Sequence, residues 1–243
     1  MKDLSFLKER MIAHRGLHDK NIPENTISSF KRAINNNYII ELDVHLLKDN
    51  KVVVIHDDNL IRASNINKKI KDMTYDEVKM LNIFNTCEHI PLLEDVLDII
   101  NGCVPIIIEL KTDVRVPKLE KQVLKILKNY HGLFAIQSFS PLSLYYIKKK
   151  NHDIIIGQLV SDFKNNKMNF IKKFILKKMI FNILIHPDFI SCNLNYLSSN
   201  KIKKLRKNKI ILGWTVRNIN QYEDYKELCD NVIFENIPEI LKQ

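Results

Sequence analysis

The sequence lacks the features that divide, staple or anchor a chain. There are only five glycines and no long Gly/Ser or Pro stretch, so no linker is evident and we expect one domain over residues 1–243. The four cysteines are far apart and form no CxxC pair, which argues against a zinc cage and a disulfide framework. We interpret them as small hydrophobes in a reducing compartment.

An apolar targeting segment is also missing at the start of the sequence. The first ten residues read MKDLSFLKER and carry charges where a signal peptide needs an apolar run, so we expect a cytoplasmic protein. The hydrophobic fraction of 45% and the charged fraction of 27% are ordinary for a soluble globular chain.

Positive charge is in excess, with 38 Lys and Arg against 28 Asp and Glu, a formal net charge of +10. Three interpretations compete. The basic surface binds nucleic acid or an anionic membrane, it attracts a phosphate-bearing substrate, or it reflects a coding bias towards lysine, asparagine and isoleucine without function. The lysines are spread along the whole chain, and no nucleic-acid motif accompanies them. We expect no nucleic-acid partner.

Eight short apolar runs are predicted to be strands. They are rich in β-branched residues and apolar at consecutive positions, as strands buried on both faces of a parallel sheet require. The runs are Met11–Ala13, Ile39–Val44, Pro105–Leu110, Leu133–Ser138, Ile154–Val160, Phe189–Cys192, Ile210–Val216 and Val232–Glu235.

Helical patterns alternate with these strands, which indicates an α/β fold. The predicted helices are Asn25–Ile34, Leu92–Ile100, Pro117–Tyr130, Pro141–Lys149, Leu197–Lys207 and Asn218–Leu228. Eight strand–helix units in a chain of this length favour a closed (β/α)₈ barrel, which typically takes about 250 residues. An open doubly wound sheet is the alternative that the pattern alone leaves open.

Two stretches depart from the alternation. Residues 51–90 are predicted to be an insertion after the second strand, made of an extra strand at Lys51–His56 and a polar excursion with one short helix at Tyr75–Leu81. The run Phe170–Ile185 is apolar but interrupted by four lysines, and it is too short to span a bilayer. It is interpreted either as a barrel helix with snorkelling lysines or as a basic helix in weak contact with an anionic membrane.

Three acidic residues suggest a metal site. Glu41 and Asp43 are two apart on a predicted strand, so their side chains face the same side of it. Glu109 lies on the next barrel strand. Three facing carboxylates favour a hard divalent cation, Mg²⁺ or Ca²⁺, over zinc. The alternative is a solvent-facing strand that happens to be acidic.

Two histidines follow apolar strands near this predicted site. His14 and His56 are therefore candidates for an acid–base pair, because the unperturbed pKa of histidine lies near neutrality. Arg15 and Lys111 are placed to bind phosphate. The other six histidines are interpreted as structural or surface residues.

A series of short motifs recurs in a fixed order along the chain. They are His14-Arg15-Gly16, Pro23-Glu24-Asn25-Thr26, Glu41-Leu42-Asp43-Val44, Val53-Val54-Ile55-His56-Asp57, Leu60-Ile61-Arg62, Ile90-Pro91-Leu92-Leu93-Glu94-Asp95-Val96-Leu97, Ile108-Glu109-Leu110-Lys111, Gln137-Ser138-Phe139 and Trp214-Thr215-Val216. As an ordered set spanning Met11 to Pro238, they resemble the glycerophosphodiester phosphodiesterase family.

The resemblance implies a TIM barrel with a small insertion after strand two, and hydrolysis of glycerophosphodiesters to glycerol 3-phosphate and an alcohol. It also implies an in-line attack by a substrate hydroxyl and a cyclic phosphate that water opens. The implied metal ligands are Glu41, Asp43 and Glu109, and the implied acid and base are His14 and His56. The implied substrate-binding residues are Arg15, Lys111, Gln137, Phe139 and Trp214.

The chain departs from the family pattern at three places. Asn37 or Tyr38 stands where a glycine often precedes strand two, and asparagine tolerates the positive φ that such a turn needs. Ala63-Ser64 replace a Thr-Gly in the insertion. The barrel ends in Phe234-Glu235-Asn236-Ile237-Pro238 instead of a Thr-Asp-x-Pro, which leaves Glu235 without an assigned role.

Two other functions fit the same fold. A lyase of the sphingomyelinase D type would release a cyclic phosphate, and a catalytically inactive barrel would only bind lipid or phosphate. The intact set of two histidines and three carboxylates argues against the inactive barrel.

Overall fold

In the computed structural model, residues 2–112, 116–162 and 179–236 are described. Eight parallel strands among them close into a barrel, because the first strand pairs with both the second and the last. The strands in chain order are β1 (Ile12–Ala13), β2 (Ile39–Leu46), β3 (Val52–Val54), β4 (Asn59–Leu60), β5 (Ile66–Lys69), β6 (Ile106–Leu110), β7 (Phe134–Ser138), β8 (Ile155–Val160), β9 (Phe189–Asn193), β10 (Ile210–Val216) and β11 (Asn231–Phe234). The barrel consists of β1, β2 and β6 to β11, and the eight predicted strands are confirmed.

Helices connect the barrel strands. In chain order they are α1 (Phe6–Glu9), α2 (Ile27–Asn35), α3 (Ile61–Ser64), α4 (Tyr75–Val78), α5 (Leu93–Ile100), α6 (Lys118–Leu127), α7 (Pro141–Lys150), α8 (Asn182–Ile185), α9 (Leu194–Leu197), α10 (Asn200–Leu205) and α11 (Ile219–Tyr225), with 3₁₀ turns at Ile70–Asp72 and Lys226–Leu228.

Two helix predictions were wrong in detail. The predicted helix Leu197–Lys207 is shorter and begins at Asn200, because Ser199 caps α10 by accepting a hydrogen bond from the amide of Ile202; Leu197 is the last residue of the separate helix α9. The predicted helix Asn218–Leu228 ends at Tyr225, and its last turn is a 3₁₀ turn at Lys226–Leu228.

The barrel interior is closed below the polar end by an apolar layer, which contains Ile39, Ile107, Ala135, Phe189 and Leu212 among others. Gly157 makes room for the largest of these side chains. A Cβ atom at position 157 would lie 2.2 Å from the ring of Phe189. The outward faces of the strands pack against the helices in a second, larger cluster. Inside the barrel, space for polar groups therefore remains only above this apolar layer, at the C-terminal ends of the strands.

Within the insertion, residues 57–90 were predicted to be a polar excursion with one short helix after an extra strand. The extra strand and the helix are present as β3 and α4, but the excursion is not polar throughout. Strand β3 pairs antiparallel with β2, and β4 and β5 form a small hairpin. Ten apolar side chains of this region and its flanks are buried together, including Leu60, Ile70, Val78 and Ile83. The insertion thus has its own apolar core, packed beside β2.

The turn before β2 was predicted to accept an asparagine in place of a glycine. Asn37 has a φ of +59°, which confirms that asparagine replaces glycine in a left-handed turn before β2.

Most of the run Phe170–Ile185 lies outside the described residues. Its last part forms α8, where Ile183 and Leu184 are 76% and 64% exposed. Among the described residues, no helix combines the length and the apolar character needed to cross a membrane.

Candidate active site

Polar side chains gather in a cavity at the C-terminal ends of the barrel strands, where (β/α)₈ enzymes carry their active sites. Nine of the ten residues proposed from the sequence line this cavity: His14, Arg15, Glu41, His56, Glu109, Lys111, Gln137, Phe139 and Trp214. The tenth, Asp43, is fully buried and contacts Arg15 and Lys111. The structure therefore brings all ten into one place.

The three carboxylates of Glu41, Asp43 and Glu109 form a buried cluster. Glu41 and Asp43 lie on β2, and Glu109 is the register partner of Asp43 on β6. One oxygen from each of the three lies within 4.8 Å of the others. Burial raises the pKa of Glu41 well above its usual range, and the neighbouring Asp43 and Glu109 raise it further. Burial likewise raises the pKa of Glu109.

Asp43 is the member of the cluster whose negative charge is favoured by its neighbours. Burial opposes its charge, but Lys111 and Arg15 outweigh burial and hold the pKa of the Asp43 carboxyl well below its usual range. The Lys111 ammonium lies 3.0 Å from Oδ1, and the Arg15 Nε lies 3.3 Å from Oδ2. The side-chain amide of Asn25 donates to Oδ2 at 2.9 Å.

The cluster fits a hard divalent cation. All three groups offer oxygen, which Mg²⁺ and Ca²⁺ prefer, and they converge closely enough to share one ion. Burial is the main reason that the pKa values of Glu41 and Glu109 are raised, and a doubly charged ion bound between the carboxylates would favour their ionised forms.

His14 follows β1 and is 9% exposed. Its Nδ1 lies 2.5 Å from Oε1 of Glu235, and its Nε2 lies 3.8 Å from Oε2 of Glu41. Burial lowers the pKa of His14, and the hydrogen bond to Glu235 works in the opposite direction. The ring is thereby fixed with one nitrogen on a carboxylate and the other towards the acidic cluster.

His56 follows β3 and approaches the cavity from the insertion side. Its Nδ1 lies 2.7 Å from Oδ1 of Asp57, and the backbone carbonyl of His56 is 3.0 Å from Nε2 of the buried His45. Arg62 donates to the other oxygen of Asp57 at 2.7 Å, and the hydrogen bond from His56, followed by that from Arg62, keeps the pKa of Asp57 below its usual range. The side chain of His56 is 32% exposed.

The two cations proposed to bind phosphate are already engaged by carboxylates. The Lys111 ammonium lies 2.6 Å from Glu109 as well as close to Asp43. Arg15 donates from Nη1 to Glu24 at 2.8 Å, and Glu24 also binds Arg62. Burial disfavours the charged forms of Lys111 and Arg15, but the adjacent carboxylates outweigh it and raise both pKa values.

Aromatic and amide groups form the opposite wall. The rings of Phe139 and Trp214 meet edge to face with centroids 5.9 Å apart. Gln137 donates from Nε2 to Glu41 at 3.1 Å. Within the described part of the chain, Gln137 Oε1 and Trp214 Nε1 are buried without a hydrogen-bond partner. Such groups in a cavity are typical contacts for a ligand.

The sequence left several contributors unassigned. Glu235 directly follows β11, Arg217 directly follows β10, and Asp57 follows His56. The rule that places chemistry at the C-terminal ends of barrel strands would have singled out Glu235 and Arg217. Glu24 and Asn25 lie in a loop between β1 and α2; they belong to one of the motifs that resemble the family, but that motif was assigned no role in the site.

Comparisons with known proteins found related phosphodiesterases. A glycerophosphodiester phosphodiesterase from Caldanaerobacter subterraneus subsp. tengcongensis is 38% identical over 164 residues, covering 63% of this chain and 67% of the relative. The solved glycerophosphodiester phosphodiesterase of Thermotoga maritima matches with a TM-score of 0.72 and 26% identity, over 93% of this chain and 94% of that one.

A phosphodiesterase from Oleispira antarctica, solved with the product sn-glycerol-3-phosphate, shares the fold with a TM-score of 0.79 at 20% identity, over 94% of this chain and 93% of that one. The model of the glycerophosphoryl diester phosphodiesterase family matches residues 14–237, which include all ten proposed site residues. The chain therefore belongs to the glycerophosphoryl diester phosphodiesterase family.

Proposed function

We propose that this barrel hydrolyses glycerophosphodiesters to glycerol 3-phosphate and an alcohol, with His14 and His56 as acid and base and a divalent metal at Glu41, Asp43 and Glu109. One observation carries the proposal. Two imidazoles, each with Nδ1 on a carboxylate, converge on the cavity that contains a buried cluster of three carboxylates.

The two histidines divide the proton transfers. One histidine takes the proton of the attacking substrate hydroxyl, and the other gives a proton to the departing alcohol oxygen. Water then opens the resulting cyclic phosphate, which gives glycerol 3-phosphate. Each transfer of this kind typically contributes about 10²–10⁴ in rate. Asp57 and Glu235 bind the opposite ring nitrogens, so that each histidine has Nε2 for the reacting groups.

The metal ion, Mg²⁺ or Ca²⁺, would withdraw charge from the phosphoryl oxygens when bound. Arg15 and Lys111 neutralise Asp43 and contribute donors at the phosphate position. The unpartnered Gln137 Oε1 and Trp214 Nε1 are placed to bind hydroxyl groups of the substrate, and Phe139 packs against the tryptophan.

Turnover of a panel of glycerophosphodiesters with Mg²⁺ or Ca²⁺ tests the proposal. We expect release of glycerol 3-phosphate from at least one headgroup, with choline, ethanolamine, glycerol and inositol diesters compared. A stable cyclic phosphate as the product would favour a lyase of the sphingomyelinase D type. No product from any diester would favour a barrel that only binds lipid or phosphate.

We also propose a weak anionic-membrane contact near residues 170–185. In the described end of this run, Ile183 and Leu184 are exposed, and Lys148–Lys150 end the neighbouring helix α7. Exposed apolar residues beside lysines suit an anionic lipid surface. Co-sedimentation with anionic but not with neutral vesicles, lost in an Ile183→Ser/Leu184→Ser variant, is the expected result.

Two further proposals concern the whole chain. We propose that residues 1–243 act as one domain that includes the 51–90 insertion, supported by the pairing of β3 with β2. We propose a cytoplasmic location, supported by four cysteines that are all free thiols. Limited proteolysis and fractionation of expressing cells test these two proposals.

A further inference from the structure

Glu235 is held at the polar end of the barrel by contacts on three sides. Its backbone amide donates to the carbonyl of Val216 at 2.8 Å. Its Oε1 lies 2.5 Å from Nδ1 of His14, and its Oε2 accepts from Nε of Arg217 at 2.8 Å. The side chain is 10% exposed. Both oxygens of a nearly buried carboxylate are thus engaged, one by a histidine and one by an arginine.

We propose that Glu235 is a positioning residue for His14: it fixes the imidazole as the Nδ1–H tautomer and so leaves the Nε2 lone pair facing the cavity. The inference deepens the proposed function, because it states which nitrogen of His14 meets the reacting groups. Arg217 has a supporting role, since it holds the carboxylate in the orientation that His14 requires.

The geometry leaves His14 little freedom. Its backbone amide donates to the carbonyl of Phe234, next to Glu235, so the histidine and its carboxylate are attached to the same strand end. A neutral imidazole has one N–H and one acceptor nitrogen. A carboxylate accepts and does not donate, so the proton must be on Nδ1. Nε2 then lies 3.8 Å from Glu41 as the nitrogen that accepts a proton.

The charge of Glu235 supports the same role. Although burial opposes ionisation, the hydrogen bond from His14 and the nearby Arg217 lower the pKa of Glu235 to about 2, so it is ionised at neutral pH. When His14 accepts a proton during turnover, the imidazolium forms beside a fixed negative charge. A buried imidazolium without such a partner would be costly.

Glu235→Gln is the decisive substitution. Glutamine has the shape of glutamate, but only one of its two terminal side-chain atoms can accept a hydrogen bond. Arg217 Nε can only donate, so it hydrogen-bonds to the amide oxygen of the glutamine. The NH₂ group then faces His14 Nδ1, which must become an acceptor and pass its proton to Nε2. The variant therefore changes the tautomer without leaving a cavity.

Nitrogen-15 correlation spectra of histidine-labelled protein measure that tautomer directly, with the His14 signal assigned by its loss in His14→Gln. We expect an Nδ1–H His14 in the wild-type protein and an Nε2–H His14 in Glu235→Gln. An Nδ1–H signal in both proteins would overturn the inference.

Steady-state kinetics on the best diester provide the second measurement. We expect Glu235→Gln to lower kcat about a hundredfold, the size of a lost acid–base contribution, with KM within about twofold. Arg217→Ala, at a residue whose side chain is 57% exposed, should fold normally and lower kcat severalfold. Glu223→Gln, which breaks the exposed pair with Lys226, is the matched control and should leave kcat unchanged.

The possible results distinguish a failure of the positioning role of Glu235 from a failure of the proposed function. Normal kcat in Glu235→Gln, or a low kcat with an unchanged tautomer, would show that Glu235 does not act by positioning His14. If Glu235→Gln does not fold, an unaltered kcat in Arg217→Ala overturns the inference. If the wild-type protein turns over no diester, the proposed function fails, while the spectra still decide the tautomer.

Discussion

His14 and His56 line the same cavity, but they reach it from different parts of the molecule. His14 follows a barrel strand and is 9% exposed, whereas His56 follows the insertion strand β3 and its side chain is 32% exposed. Both have Nδ1 on a carboxylate that an arginine anchors. A histidine, a carboxylate and an arginine are thus arranged in the same way twice, once at the end of a barrel strand and once at the insertion.

The two arrangements differ in how far they extend. On the His14 side, the side-chain contacts of Glu235 end at His14 and at Arg217, whose side chain is 57% exposed. On the His56 side, charges of alternating sign continue from Asp57 through Arg62, Glu24 and Arg15 to Asp43. Changes at Asp57 or Arg62 should therefore reach the acidic cluster through Glu24 and Arg15. Changes at Glu235 or Arg217 should reach it only through His14, whose Nε2 lies 3.8 Å from Glu41.

Removal of either imidazole is the largest expected effect. His14→Ala and His56→Ala should each lose about 10²–10⁴ in kcat, because each removes one proton transfer. Diester turnover checks this, with circular dichroism as the control for folding. Near-normal rates in either variant would remove that histidine from the acid–base pair.

Asp43 should matter more for stability than Glu41. Asp43→Asn leaves Lys111 and Arg15 short of a buried counter-charge, and we expect a loss of about 3 kcal/mol in the free energy of unfolding without metal. Glu41→Gln removes a carboxylate whose ionisation is disfavoured, so the change should stay within about 1 kcal/mol.

Urea unfolding in a chelator measures both values, and metal titration by calorimetry should show weaker binding in both variants. Equal destabilisation by the two substitutions would contradict the view that the His56 network ends at Asp43.

Arg62 and Arg217 should also differ in what they contribute to stability, by a smaller amount. Arg62→Ala breaks contacts to Asp57 and Glu24 and should cost about 1 kcal/mol of stability, the upper end for partly exposed pairs. Arg217→Ala breaks one contact and should change the stability by less than about 0.5 kcal/mol. Thermal unfolding of the two variants measures both losses of stability, and a larger loss for Arg217→Ala than for Arg62→Ala would contradict this prediction.

The pH dependence of stability should show a contribution from Glu235. Its pKa is lowered to about 2 from an ordinary value of 4.5, so its stabilisation is present above pH 4.5 and disappears as the pH falls towards 2. Glu235→Gln should therefore lose less stability than the wild-type protein over that interval. Parallel unfolding curves from pH 5 to pH 2.5 would contradict the shift.

Much of the barrel and its acidic cluster can be predicted from the sequence for a simple physical reason. Strands buried on both faces must be apolar at consecutive positions, so Glu41 and Asp43 stand out within β2 against Leu42 and Val44. Alternation of side chains along a strand then places both carboxylates on one face.

Other features depend on distances that no local pattern encodes. Glu235 meets His14 only because β1 and β11 pair when the barrel closes. Glu24 reaches Arg62 across a gap of 38 residues. The apolar core of the insertion was missed because Leu60, Ile70, Val78 and Ile83 are widely spaced among polar residues and show no strand or helix period.

Strand β2 is hydrogen-bonded to β1, β6 and β3, and all eight of its residues are buried. Exposing the peptide groups of Glu41 and Asp43 to solvent therefore requires separating neighbours on both sides of the strand. Amide hydrogen exchange along the middle of β2 should consequently proceed only through global unfolding, more slowly than in the short hairpin of β4 and β5. The proposed metal ligands lie on a segment that stays folded for as long as the barrel does.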